Sequence, residues 1–171
     1  MNQKPLVAVL MGSDSDLPVM ESAVEALERF AVPFELRVMS AHRTPEAVRE
    51  FATGAAGRGL KVIIAGAGGA AHLAGVVASM TMLPVIGAPT PTDRAGGLDS
   101  LLSTVQMPGG VAVATMGIGK SGARNAALLA VQILALADRA LADSLASYKS
   151  EMAGKVAEAD ARVAKWLAER G

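Results

Sequence analysis

At 171 residues and 17.3 kDa the chain is long enough to bury one sizeable core and short for two domains. Sixteen basic residues balance sixteen acidic ones, which argues against a nucleic-acid binder working by bulk charge, and 51% hydrophobic content excludes a disordered chain. The lack of cysteine excludes disulfides, thiolate metal sites and thiol nucleophiles, so imidazole chemistry is left to His42 or His72.

Leu6–Met11 is a short, wholly apolar run, as a strand buried on both faces of a parallel sheet requires. Gly12–Asp16 follows it, and Pro18 falls near the first turn of a helix carrying Val19, Met20, Ala23, Val24 and Leu27. Phe34–Met39 reads as a second strand. Thr44, as N-cap, and Pro45, at the first helical position, open a second helix that fades at Gly57 and Gly59. Val62–Ala65 is the third strand, followed by a Gly-rich turn and a small-residue helix over about 70–80. Pro84–Ala88 is the fourth strand, 98–106 a helix, Met107–Gly110 a turn and Val111–Thr115 the fifth strand. From Ser121 the pattern is helical to the end, apolar almost all round over 125–137 and charged and amphipathic from Asp138.

Strands alternating with helices favour a parallel sheet with right-handed crossovers. The expected fold is therefore α/β: a three-layer α/β/α sandwich around a five-stranded parallel sheet of the flavodoxin or Rossmann kind. No linker-like shift in composition interrupts it, so one domain over 1–171 is expected, with a core over about 5–137 and a helical extension over about 138–171.

Charge is unevenly spread: residues 1–60 hold 14 charges, 61–137 only 6, and 138–171 hold 12. A stretch that poor in charge is covered either by lipid or by protein. Glycines and prolines, among them Gly66, Gly68, Pro84 and Pro89, break up the uncharged run Val62–Thr92, which a spanning helix does not allow. The apolar run at Leu6–Met11 is too short for a secretory leader. Burial between subunits of a homo-oligomer, in a reducing cytoplasm, is the expectation.

Ligands of open parallel sheets lie beyond the carboxyl ends of the strands. Here those places are 12–16, 40–45, 66–72, 88–91 and 116–122, and they hold most of the polar residues of an otherwise bland stretch. Ser13 and Ser15 can donate to a phosphate at a helix start, and Asp16 suits a ribose hydroxyl; helix capping by Ser15 or Asp16 explains the same residues equally well. The ending of a nucleotide P-loop is missing. Arg43 offers a phosphate a two-pronged clamp, against the plainer reading of a solvated ion pair. His42 beside it is suited to moving a proton near neutral pH, unless it merely caps the next helix. Gly66-x-Gly68-x-x-Ala71 resembles a dinucleotide fingerprint but follows the wrong strand. Its small side chains let a ligand approach the backbone. His72 reads more readily as packing than as catalyst, and Met107 as packing. Two histidines far apart without clustered carboxylates make no metal site.

The strings MGSDSD (11–16), SAHRTP (40–45), AGAGGAAHL (65–73), LDSLLSTVQMPGG (98–110) and IGKSGARNAALLA (118–130) resemble, in unbroken order over about 5–140, the class I, bacterial-type 5-(carboxyamino)imidazole ribonucleotide mutases of purine biosynthesis. The related animal-type aminoimidazole ribonucleotide carboxylases lack this third-loop form and typically carry lysine where Arg43 stands. The resemblance implies a flavodoxin-like fold, a cofactor-free and metal-free isomerisation of a ribonucleotide, and a homo-octamer with sites between subunits. It further implies that Ser13, Ser15, Asp16 and Arg43 hold the ribose phosphate, joined by Ser40 of the same string as Arg43. His42 matches the catalytic histidine. Gly68, Gly69, Ala70 and His72 match the loop over the imidazole and its carboxylate.

Three places depart from the pattern: Leu17 stands where tryptophan is common, Ala74 where proline is frequent, and Pro89-Thr90-Pro91-Thr92 replaces the usual loop after the fourth strand. Two other functions stay open on the sequence. One is direct carboxylation of the aminoimidazole ribonucleotide by carbon dioxide. The other is a flavin- or nucleotide-binding module, which the scarcity of aromatics disfavours.

Overall fold

A computed structural model describes residues 4–170. Among the described residues five segments form the strands, β1 (Val7–Met11), β2 (Phe34–Val38), β3 (Val62–Ala67), β4 (Val85–Pro89) and β5 (Ala114–Thr115), all but the exposed, charge-bearing β2 being mainly apolar. All pairings are parallel, in the order β2-β1-β3-β4-β5. Six helices accompany them among the described residues: α1 (Leu17–Arg29), α2 (Pro45–Gly54), α3 (Leu73–Ala78), α4 (Leu98–Val105), α5 (Lys120–Ala135) and α6 (Arg139–Ala168). A single 3-10 turn, Asp14–Asp16, leads into α1. This is the three-layer, flavodoxin-like arrangement that the alternating pattern predicts.

Every residue of β1, β3 and β4 is buried, which explains why their sequences are continuous apolar runs rather than alternating ones. On one face Ala8, Leu10, Ile63, Ala65 and Val85 pack with Val48 and Phe51 of α2 and Leu73 and Val77 of α3. Burying each large aliphatic side chain there contributes roughly 1.5–3 kcal/mol. The other face takes α1, where Met20 lies over Gly66 so closely that a Cβ at that position would overlap its sulfur. An ion pair from Arg124 of α5 to Glu25 of α1, 3.6 Å, places the start of α5 beside α1.

The chain divides into two compact units, Met1–Ile133 and Leu134–Gly171. The sheet belongs to the first. The second contains α6, a 30-residue helix whose N-cap Asp138 accepts a hydrogen bond from the Leu141 amide at 3.1 Å. The helical pattern expected to run unbroken from Ser121 is thus interrupted after Ala135, where the apolar stretch gives way to the charged one. Among the described residues no helix is long and apolar enough to cross a membrane.

Three other boundaries differ from expectation for local reasons. The helix after β3 begins only at Leu73, because Gly69 takes a left-handed φ of +67° and the amides of Ala71 and His72 turn back to Gly69 and Ala70. β5 shrinks to two residues after the turn at Pro108–Gly110. Thr44 does precede α2, but its hydroxyl turns away from the helix and bonds Ser40.

Candidate active site

The register sets Met11 of β1 level with Val38 of β2 and with Gly66 of β3. The three loops that follow therefore leave the sheet at one height, side by side. With the loop after β4 they enclose an open cavity of about 490 Å³. Its lining includes Ser13, Ser15, Asp16, Ser40, His42, Arg43, Gly68, Ala70 and His72, nine of the ten residues expected from sequence. The tenth, Gly69, lines an adjoining cavity that shares Gly68, Ala70 and Thr92 with the first and adds Asp93, Arg94, Asp99 and Ser103.

The loop after β1 is a reciprocal cap. Ser13 Oγ accepts from the Ser15 amide at 3.3 Å, and Asp16 Oδ2 accepts from the Ser13 amide at 3.1 Å. Ser15 Oγ also donates to Ser13 Oγ at 2.9 Å. The cap is thus Ser13 rather than the expected Ser15 or Asp16, and Asp16, which precedes α1 without a side-chain cap bond to it, reaches back to Ser13 instead. Ser13, Ser15 and Asp16 line the cavity all the same. Asp16 Oδ1 accepts from the Thr90 hydroxyl at 3.0 Å. Burial pushes the Asp16 carboxyl above the ordinary carboxylate range; the Thr90 and Ser13 bonds pull it back, and the neighbouring Asp14 charge adds a small push upward.

The loop after β2 is built around Ser40. Its Oγ accepts from the His42 amide (3.4 Å), the Arg43 amide (3.2 Å) and Arg43 Nε (3.4 Å). The hydroxyl hydrogen is what Ser40 can still offer a ligand. Arg43 Nη2 donates to the Gly12 carbonyl at 3.0 Å, tying the guanidinium to the end of β1. His42 reaches the other way. Its Nε2 lies 2.8 Å from Nδ1 of His72, with the two rings nearly perpendicular at 81° and their centroids 4.9 Å apart. In this contact one nitrogen donates and the other accepts, the tautomers of the two rings deciding which. His72, which reads from sequence as a packing residue, is instead exposed and faces the cavity.

The loop after β3 is clasped by α4. The Gly69 amide donates to Ser100 Oγ at 2.9 Å, and Ser103 Oγ donates to the Gly69 carbonyl at 3.1 Å. The sequence suggests small side chains that leave the backbone amides open; at Gly69 the amide is engaged by the protein itself. Ser100, Ser103, Thr90 and Thr92 join the site in the structure without a role expected from sequence. Short hydroxyl side chains near strand ends give little signal, although Ser100 and Ser103 lie in one of the recognised strings. Met107 packs on α3 at Gly75, as its sequence context suggests. Among the described residues the first cavity takes nothing from 116–122, where the Gly119 amide instead bonds the Pro89 carbonyl. No group of three or more His, Asp or Glu among the described residues is placed to hold a metal ion.

Cationic Arg43, paired serines at a capped turn, an acidic acceptor and two imidazoles within one cavity suit a phosphorylated, hydroxylated ligand and a proton transfer. The chain is 58% identical to the N5-carboxyaminoimidazole ribonucleotide mutase of Mycobacterium tuberculosis (strain ATCC 25618 / H37Rv), over 94% of this chain and 91% of the relative. It is 55% identical to the protein of the same name from Pyrococcus horikoshii, over 92% and 88%. The crystal structure of Treponema denticola PurE is similar at a TM-score of 0.83 and 34% identity, covering 92% of this chain and 98% of that one. The model of the AIR carboxylase family matches residues 6–155, and with these likenesses the chain belongs to that family.

Proposed function

We propose that this protein is a 5-(carboxyamino)imidazole ribonucleotide mutase of de novo purine biosynthesis, an isomerase that moves a carboxylate from the exocyclic nitrogen to carbon 4 of the ring. Relatives of that name at 55–58% identity and nearly full coverage support the reaction. The observation that carries the mechanism is His42 held over the cavity beside Arg43, with His72 2.8 Å away.

Ser13, Ser15, Ser40 and Arg43 bind the phosphate, and Asp16 accepts a ribose hydroxyl. His42 as an imidazolium delivers its proton to the carbamate nitrogen. The nitrogen–carbon bond breaks, carbon dioxide is released, and the electron pair stays on the now neutral amine. Carbon 4 of the electron-rich ring attacks the carbon of carbon dioxide, and His42 takes the proton that carbon 4 must lose. The proton count balances over the cycle, so no cofactor or metal is required. Positioned acid–base catalysis of this kind is typically worth about 10²–10⁴-fold. The small residue Ala70 leaves room for the imidazole and its carboxylate beside the backbone of Gly68, with His72 against the acid–base histidine.

The form of the third loop and Arg43 support the class I, bacterial-type assignment within the family. The whole chain is read as one mutase domain, with a catalytic core over about 5–137 and a helical extension over about 138–171. The charge-poor middle of the chain, with Leu98, Leu102 and Val105 exposed along α4 and Met82 almost fully exposed, supports burial between subunits of a homo-oligomer; eight copies is the number the resemblance implies. A cytoplasmic location agrees with a small phosphorylated substrate and a cysteine-free chain. Neither nucleic acid nor membrane is a partner in this reading.

His42→Asn keeps a hydrogen-bonding side chain but removes the titrating group. Conversion of the carbamate to the 4-carboxylate should drop at least about 10²-fold. Near-wild-type turnover would overturn the role of His42. Consumption of aminoimidazole ribonucleotide with bicarbonate, in place of the carbamate, would reassign the reaction to direct carboxylation.

A further inference from the structure

The string Pro89-Thr90-Pro91-Thr92 departs from the family pattern, and the proposed mechanism leaves it without a role. In the structure Thr90 is one of four buried polar residues among those described, at 2% exposure. Its amide is anchored to the Ala67 carbonyl at the end of β3 (2.9 Å), and its hydroxyl donates to Asp16 Oδ1 across 74 residues of sequence. The other carboxylate oxygen is held locally, by the Ser13 amide three residues back. Among the described residues each oxygen of Asp16 thus has one donor, and of the two bonds it is that of Thr90 that ties the carboxylate to the far side of the cavity. Space for that hydroxyl exists because residue 68 is glycine: a Cβ there would lie 2.6 Å from Thr90 Oγ1.

We infer that Thr90 is a positioning residue for substrate binding, its hydroxyl fixing the orientation in which Asp16 meets the sugar of the ribonucleotide. Filling the space would not need an oxygen, since valine has nearly the same shape. The hydroxyl is the part of Thr90 that acts on Asp16, by holding one oxygen and favouring the charged form. The charged and titratable groups that share the cavity with Asp16 are Arg43 and His42 from the loop after β2 and His72 from the loop after β3. Asp14, on the same turn, opposes the charge. The loop after β4 contributes no charge to this cavity, so the effect of Thr90 is one of hydrogen bonding alone.

What the sugar is rests on the mutase reading, whereas the titration of Asp16 needs no ligand at all. The test therefore has two arms on the full chain, comparing wild type with Thr90→Val and Thr90→Ser. In the first, the Asp16 carboxyl carbon is followed by NMR against pH; in the second, carbamate conversion is measured at several pH values. Thr90→Val should raise the Asp16 midpoint and raise KM about tenfold, with a smaller change in kcat. The acidic limb of kcat/KM should move upward with the midpoint, and Thr90→Ser should restore both. An Asp16 midpoint that does not move in Thr90→Val overturns the inference, as does an unchanged KM in an active enzyme. Equal losses in Val and Ser variants, with lowered melting temperatures in both, would assign Thr90 to packing and overturn it too. A wild-type protein inactive on the carbamate would remove the mutase reading, and the NMR arm would still decide what Thr90 does to Asp16.

Discussion

Burial works against the charge on Asp16, and the donors Ser13 and Thr90 offset that cost in part, leaving the carboxyl above its ordinary value of 3.8. Between 3.8 and the raised native value the folded chain holds this proton more tightly than the unfolded chain does. Stability contributed through this group therefore falls as pH rises through that window and is level above it. In Asp16→Asn the amide can accept from Ser13 and donate to Thr90 without titrating. Urea unfolding of both proteins at successive pH values should show wild-type stability falling relative to the variant as pH climbs from 3.8. A wild-type advantage that grows over that range would contradict the burial argument. His42, Arg43 and the serines were legible in the sequence because each is a polar side chain just beyond the carboxyl end of a strand, where open parallel sheets place their ligands. Thr90 was not, since a threonine at such a position is ordinary and its partner is 74 residues away.

Among the elements, α5 shows how sequence and packing can pull in opposite directions. Gly122 lies in its first turn, where alanine would be favoured intrinsically by about 1 kcal/mol. A Cβ at Gly122, however, would overlap the carbonyl oxygen of Gly117, a backbone atom that cannot swing aside. Steric cost should win: Gly122→Ala is expected to destabilise the chain by about 1–3 kcal/mol in chemical denaturation. A stabilised variant would show that the helix start is not packed this tightly. The buried strands were readable because burial on both faces leaves a run of apolar residues with no other explanation. Helix ends were less readable. α3 loses its expected first turn to the left-handed Gly69, and the hydroxyl of Thr44 serves Ser40 instead of its own helix. Capping signals name a residue type, and the tertiary partner then decides which bond is made.

For the molecule as a whole, the shortage of charge over 61–137 has a counterpart on the surface. Leu98, Leu102 and Val105 follow one another at helical spacing along α4 and are each about half exposed. Sedimentation or light scattering should give a mass near eight times 17.3 kDa, and a mass near 17.3 kDa would overturn the assembly proposal. Sheet topology was legible as an alternation of strands and helices, while the strand order had to come from the structure. That order puts β1 between β2 and β3, so His42 and His72 lean toward each other over the end of a strand to which neither belongs. The consequence concerns folding. The histidine contact closes a 30-residue span and the Asp16–Thr90 contact a 74-residue one, so neither can form within a single strand–helix unit. Chains in which β1 has not yet paired with β2 and β3, and β3 with β4, have the site's side chains but not its geometry, and activity should return during refolding only once those pairings have formed.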